Sequence, residues 1–311
     1  MALKKIVNEV SSAIYSLPWY VARDEGFFVD EGLDVEFIHA REGTPKNGSP
    51  DTSLVNPIVG HAPFEEGQVN LFRACEEGNV RRTHDLSKKT VNGCDVRITS
   101  LQPSRPLHAI ITAPNSPIDR AAQLADQPVG VNFFAGSHFA AIRLLEGFLG
   151  RDRLKLAHFG GPASRFDAVL SGEVVAAVIM EPYVALAEKL GANILAEGYF
   201  VATDVIRDDL QPQYLQALYR AVNRASDFLN ASRENKRKYI SYLINDIPEG
   251  YRWGRPDVSD FHLPRLRFGH TLPYPQKEFD RSLEILEQYD LLSPGAGFNS
   301  LVDNRALVAA A

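Results

Sequence analysis

Apolar positions along the chain alternate between two spacings. KKIVNEV, near the N-terminus, is a short β-like run, and LDVEFIHA alternates with the period of two of a half-buried strand. Between them, PWYVARDEGFFVDEG places Trp19, Val21, Ala22 and Phe27 at helical spacing, with Gly26 and Gly32 as stops. The first unit therefore reads β–α–β. TPKNGSPDTS is a polar, Pro/Gly-rich loop. LHAIITA reads as a strand, NSPIDRAAQLA as a turn entering a helix, and PVGVNF as a short apolar strand. AGSHFAAIRLLEGFLG has the strongest helical pattern, with Ser137 placed to cap it and Gly150 to end it. LKLAHFG and AAVIM read as strands around the helix PASRFDAVLSGEV, followed by the helix EPYVALAEKLG and the strand NILAEG. Beyond Asp208 the pattern is mostly helical and ends in the amphipathic QKEFDRSLEILEQYDLL.

Strands alternating with helices imply α/β architecture, with helices on both faces of each sheet. The elements cluster near residues 4–110 and 111–200, and the helical C-terminal third is expected to pack back on the first cluster. Residues 1–110 with 201–305 are thus expected to form a discontinuous first lobe, and residues 111–200 a second. The last six residues, 306–311, read as a vector-derived tail. A length of 311 residues accommodates two such lobes.

Composition narrows the function. Hydrophobic residues at 45% and charged residues at 23% are globular values. A net charge of −6 argues against nucleic-acid binding. No apolar run reaches the roughly 18 residues of a membrane span, so no membrane insertion is expected. Cys75 and Cys94 make no disulfide framework, and no CxxC or Cys/His spacing suggests zinc. There is no GxGxxG, P-loop, GxSxG or HExxH, and the eight histidines show no i, i+4 pairing. No cofactor and no metal are expected. The N-terminal stretch has no apolar leader core, which implies a cytoplasmic protein if that start is native. If a leader was removed in cloning, the periplasm or cell surface is expected instead.

Three blocks carry a family resemblance. YVARDEGFFVDEGLDVEF, NSPIDRAAQLADQPVGVN and RFDAVLSGEVVAAVIMEPYVALAEKLGANILAEG are similar, in order and spacing, to the SsuA/THI5-like (NMT1-type) branch of type II periplasmic-binding-protein folds. The resemblance covers most of residues 15–200. It implies two lobes, each a mixed sheet flanked by helices, with a ligand cleft between them. It also implies a small-molecule-binding protein like the solute-binding component of a nitrate, sulfonate or pyrimidine ABC importer, with an ABC permease as a further partner. The segment VNPIVGHAPFEEGQVNLFRACEEGNVRR departs from that pattern and brings His61, Glu65, Glu66 and Asn70 near one another in sequence. More distantly, the chain resembles the hydroxybiphenyl sulfinate desulfinases on the same fold, whose catalytic histidine registers near His61. Their nucleophilic cysteine registers near Ala13 and their arginine near Glu66, so that mechanism is not expected here. The alternative function is a cytosolic enzyme on the same fold. It would be a lyase or hydrolase of a small aromatic or heteroaromatic acid, with His61 as general acid/base and Glu65 or Glu66 tuning it.

The expected ligand contacts are Asn8, Ser11, Ser12 and Tyr15 after the first strand, together with His61 and Asn132. Ser137 and His138 at the start of the long helix, and Glu181 in the Glu-Pro-Tyr block, complete the set. Helix N-termini at strand ends suit an anion there. Trp19 is expected in the core, Arg265 in an ion pair, and the RRTH run (Arg81–His84) on a solvated face.

Overall fold

The computed structural model of the chain describes residues 2–41, 43–55, 61–88, 90–102 and 104–308. The first part runs β1 (Lys4–Val10), α1 (Ala13–Asp24), α2 (Phe27–Asp30), β2 (Leu33–His39), α3 (Ala62–Glu65), β3 (Leu71–Cys75), α4 (Glu76–Leu86), β4 (Val96–Leu101) and β5 (Ser104–Arg105). The middle runs β6 (Leu107–Thr112), β7 (Pro128–Val131), α5 (Gly136–Leu145), β8 (Lys155–His158), α6 (Pro162–Leu170), β9 (Ala176–Met180), α7 (Tyr183–Lys189) and β10 (Asn193–Tyr199). The last third holds β11 (Ala202–Arg207), α8 (Pro212–Ala231), α9 (Arg233–Asn245), β12 (Arg267–Phe268), α10 (Gln276–Gln288), α11 (Phe298–Leu301) and α12 (Arg305–Val308).

Two five-stranded sheets result, ordered β2-β1-β3-β11-β4 and β10-β6-β9-β7-β8. Both are mixed. β1 is parallel to β2 and β3, and β7 to β8 and β9, whereas β11 and β6 run antiparallel to their neighbours. The chain passes from the first sheet to the second after β4 and returns after β10. The two connectors lie side by side: Gln102 N–H donates to Ala202 O (3.0 Å) and Phe200 N–H to Pro106 O (3.1 Å).

The local elements follow the apolar pattern with instructive exceptions. α1 starts at Ala13 and contains Pro18 in its interior, because AIYSL ahead of the proline is itself apolar and buried. Trp19 is in the core against Phe28. Ser137 does not cap α5. Ala135 holds that position, and the Ser137 hydroxyl instead accepts from Asn132 N–H at 2.9 Å. α5 ends at Leu145, five residues before Gly150, which opens a following 3₁₀ turn. The RRTH run is not a solvated face. α4 is covered by the first sheet and by α10, so Arg82, Thr83 and His84 are buried. Cations survive there because Arg82 lies over the Phe72 ring, 5.4 Å from its centroid, and Arg81 donates to Leu291 O.

The C-terminal third serves both sheets. α8 packs on α1, α2 and β2. After α9, however, Ile247, Tyr251 and Trp253 join the core beside β6, β9, α6 and α7. Tyr251 Oη donates to Ala163 O (2.9 Å) and Trp253 Nε1 to Asp167 (3.0 Å). The expectation that this third returns only to the first cluster missed this strap, whose apolar residues are too widely spaced to reveal their partner.

Candidate functional site

Open parallel strands leave a crevice at their carboxyl ends. In the second sheet the β7–β9 ladder stops at Gly130↔Ala177, one residue before Val178. Arg165, on the first turns of α6, fills that end. Its Nε donates to Val178 O at 2.7 Å and its Nη1 to Gly160 O. The residue is 3% exposed, yet no carboxylate pairs with it and its Nη2 bonds nothing among the described residues. Burial lowers its pKa to about 10, with the Tyr183 and Tyr15 hydroxyls acting in the opposite sense. The guanidinium therefore stays charged at neutral pH. A buried charge without a counter-charge is costly, and the two carbonyl bonds offset only part of that cost.

The groups opposing it come from both sheets. A Cβ placed on Gly136, the first residue of α5, would lie 3.0 Å from Tyr15 Oη, 3.3 Å from His108 Nε2 and 3.4 Å from Cys75 Cβ. The absence of a side chain at Gly136 is what lets these three residues converge. Tyr15 Oη and His108 Nε2 are 3.5 Å apart. Burial, and then the Arg165 charge, holds His108 down at about 3, so the imidazole is neutral. Cys75 precedes α4, and burial pushes its thiol up to about 12. Tyr15 is fixed from behind, since its carbonyl accepts from Arg73 Nη1 (3.3 Å) and Ser104 Oγ (3.1 Å).

His61 is the residue before α3, and its Nδ1 bonds Glu9 of β1. Burial lowers His61 well below its usual range, assisted by Arg82, and raises Glu9 to about 8. Both shifts favour neutral partners, so the Glu9 carboxyl donates its proton to His61 rather than forming an ion pair. The imidazole packs on Phe72 at a tilt of 32°, with ring centroids 4.4 Å apart. Glu65 is half-buried on the same side, and its charge acts on Arg82. Glu66 points away and forms a two-toothed surface pair with Arg41. Asn70 accepts from Val7 N–H (2.9 Å), tying β1 to the turn before β3. Adjacency in sequence therefore did not produce one cluster.

The other expected residues are dispersed along the seam between the sheets. Asn8 is buried in mid-β1. Ser11 is half-buried, and Ser12 Oγ and Ala13 N–H both donate to Asp246 (3.0 and 2.7 Å), so the N-terminus of α1 already holds a carboxylate of the same chain. Burial lifts Asp246 to about 6. His138 Nδ1 accepts from Phe134 N–H at 3.2 Å, and burial depresses the ring to about 3. Asn132 is half-buried after β7. Glu181 accepts from Ala185 N–H (3.0 Å), and Pro182 precedes α7 rather than entering its first turn. Arg265 is in ion pairs with Glu188 and Glu197.

The seam is closed by long-range bonds. Glu77 of α4 pairs with Arg143 of α5 at 2.6 Å, and Lys46 with Glu173 at 2.6 Å. Gly48 N–H donates to His158 O (2.9 Å) and His158 N–H to Ser49 O (2.9 Å), so the loop after β2 covers the edge strand β8.

Arg165, His108, Cys75 and Gly136 were not singled out as site residues from the sequence. A signal existed for two of them. His108 is the ionisable member of the buried strand LHAIIT, and Arg165 lies on the buried face of α6 with Phe166, Ala168 and Val169. An ionisable residue on a core-facing position is the mark that was available.

Neither a family model nor a curated protein sequence matches this chain. Solved structures do. The alkanesulfonate-binding protein SsuA from Xanthomonas axonopodis pv. citri, bound to MOPS, aligns with a TM-score of 0.70 at 13% identity, covering 97% of this chain and 99% of that one. The periplasmic aliphatic sulphonate-binding protein SsuA from Escherichia coli aligns at 0.65 and 15%, covering 95% of each chain. The desulfurization enzyme DSZB aligns at 0.60 and 15%, covering 98% of each. The chain thus has the type II periplasmic-binding-protein fold, shared by solute-binding proteins and by an enzyme.

Proposed function

We propose that this chain binds a small organic acid in the crevice between its two lobes and closes over it, as the solute receptor of an ABC importer does. The observation that carries this reading is Arg165: a charged, buried guanidinium with no carboxylate partner among the described residues, at the carboxyl ends of the second sheet's strands. A carboxylate or sulfonate would supply the missing counter-charge through charge-assisted hydrogen bonds. Neutral His108 and Tyr15 Oη stand ready as further hydrogen-bonding groups. Two lobes joined by adjacent connectors suit hinge closure. The solute-binding proteins among the structural neighbours support a transport role, with a permease as partner.

The test is isothermal titration with a panel of small aliphatic and aromatic carboxylates and sulfonates. At least one acid is expected to bind, and Arg165→Met should weaken it roughly 10- to 100-fold. Affinity unchanged by that substitution would overturn the reading. A second reading, a lyase or hydrolase using His61, draws on the buried neutral Glu9–His61 pair, a proton donor and acceptor already in contact. Product formation from an aromatic acid that disappears in His61→Ala would favour it over transport.

A further inference from the structure

The seam holds a cavity of about 300 Å³ that the Arg165 crevice does not use, lined by Thr52, Ser53, Val55, Arg81, Phe134 and Leu291, with Asp290 at its rim. Its cation is incompletely satisfied. Arg81 Nε donates to Leu291 O at 2.9 Å, and its guanidinium carbon lies 4.1 Å from the Phe134 ring centroid. Its Nη1 and Nη2 have neither hydrogen bond nor ion pair among the described residues. Three walls, Val55, Phe134 and Leu291, are apolar, and Thr52 and Ser53 bring hydroxyl groups. Phe134 is held with φ at +64°, a left-handed conformation unfavourable for an aromatic residue. That backbone is kept by the bond from Phe134 N–H to His138, while the Phe134 carbonyl lies 3.2 Å from where a Cβ on Gly78 would be. Strained residues of this kind concentrate at ligand sites.

We propose that this cavity is a second binding site, for a small aromatic monoanion. Its carboxylate or sulfonate engages the terminal nitrogens of Arg81, and its ring packs between Phe134, Val55 and Leu291. The volume is at the small end of the range for ligand pockets and admits a single substituted ring. Asp290 at the rim is largely exposed and pairs with Arg151 at 3.5 Å, so it leaves Arg81 as the cation facing the cavity. The lining includes none of Tyr15, Cys75, His108, Gly136 and Arg165 among the described residues, so this site is distinct from the Gly136 convergence, which it borders through Phe134. The inference does not depend on the Arg165 reading.

The probe is 4-fluorobenzoate, titrated into the full chain labelled at Ile, Leu and Val methyl groups. Saturable shifts are expected at Val55 and Leu291 in the wild type and in Arg165→Met. Arg81→Met should weaken that response at least tenfold, with Arg81→Lys intermediate, while distant methyl resonances report an intact fold. No shift at Val55 and Leu291, or an unchanged response in Arg81→Met, would overturn the proposal. Shifts confined to Leu107 and Val178 would overturn it too, while leaving the Arg165 reading standing. Shifts confined to Val55 and Leu291 would support it.

Discussion

Two buried arginines, one in each lobe, are treated in opposite ways. Arg73 of β3 is 2% exposed and fully engaged: Nε and Nη2 bond the two oxygens of Asp204 (3.0 and 3.3 Å), Nη1 bonds Tyr15 O, and the guanidinium lies 4.6 Å from the Trp19 ring centroid. Asp204 in turn accepts from Tyr219 Oη (3.0 Å) and from Gln102. Burial pushes Arg73 down and Asp204 up, and each opposes the other's shift. Arg165 is as deeply buried but, among the described residues, has two carbonyl partners and no carboxylate. Arg73 has its counter-charge within the fold, whereas among the described residues Arg165 has none. Partner count, not burial, is what distinguishes these two cations.

That contrast yields stability predictions. Asp204→Asn leaves Arg73 buried without a counter-charge and should cost about 3–5 kcal/mol, read as a lower urea midpoint. Arg165→Met frees two buried carbonyls but removes an unpaired charge, so its cost should stay within about 1–3 kcal/mol. Equal losses would erase the distinction. At the seam, Gly136→Ala places a methyl against Tyr15, His108 and Cys75 and should cost about 1–3 kcal/mol. A larger radius of gyration by solution scattering would show that the lobes give way first, and an unaltered midpoint would contradict the tight convergence.

The smallest effect concerns pH. Glu9 has its pKa raised to about 8, so its stabilising contribution is complete below its unfolded value and is lost as pH rises through about 8. His61, lowered by burial, acts oppositely: its contribution is present above its unfolded value near 6.5 and falls as pH drops below that. Between pH 6.5 and 8 only Glu9 of this pair matters. Glu9→Gln should therefore flatten the loss of stability across that window by roughly 1–2 kcal/mol, at about 1.4 kcal/mol per pH unit. Identical pH profiles for the two proteins would show that Glu9 is ionised in the folded chain.

Much of the architecture was legible from residue order. The alternation in LDVEFIHA became β2, the apolar AAVIM became β9, and QKEFDRSLEILEQ became α10, because each segment's periodicity specifies the face it must bury. The three resembling blocks pointed to the two-sheet fold for the same reason, since packing requirements constrain their spacing. The site was less legible. Ser12 was expected in the loop after the first strand; it directly precedes α1, and a carboxylate 234 positions away has taken its hydroxyl. Arg81 and Arg82 looked like a solvated run until α10 covered their helix.

Local pattern by itself determined most of the strands and helices and their apolar faces, since those depend on side-chain period within a few turns. Only the tertiary structure decided which buried charges have partners. Arg73 and Asp204 are 131 positions apart, Glu9 and His61 are 52 apart, and Arg165 meets no carboxylate among the described residues. Hydrogen bonds and ion pairs act over a few ångströms, and the fold, not the order of residues, sets those distances.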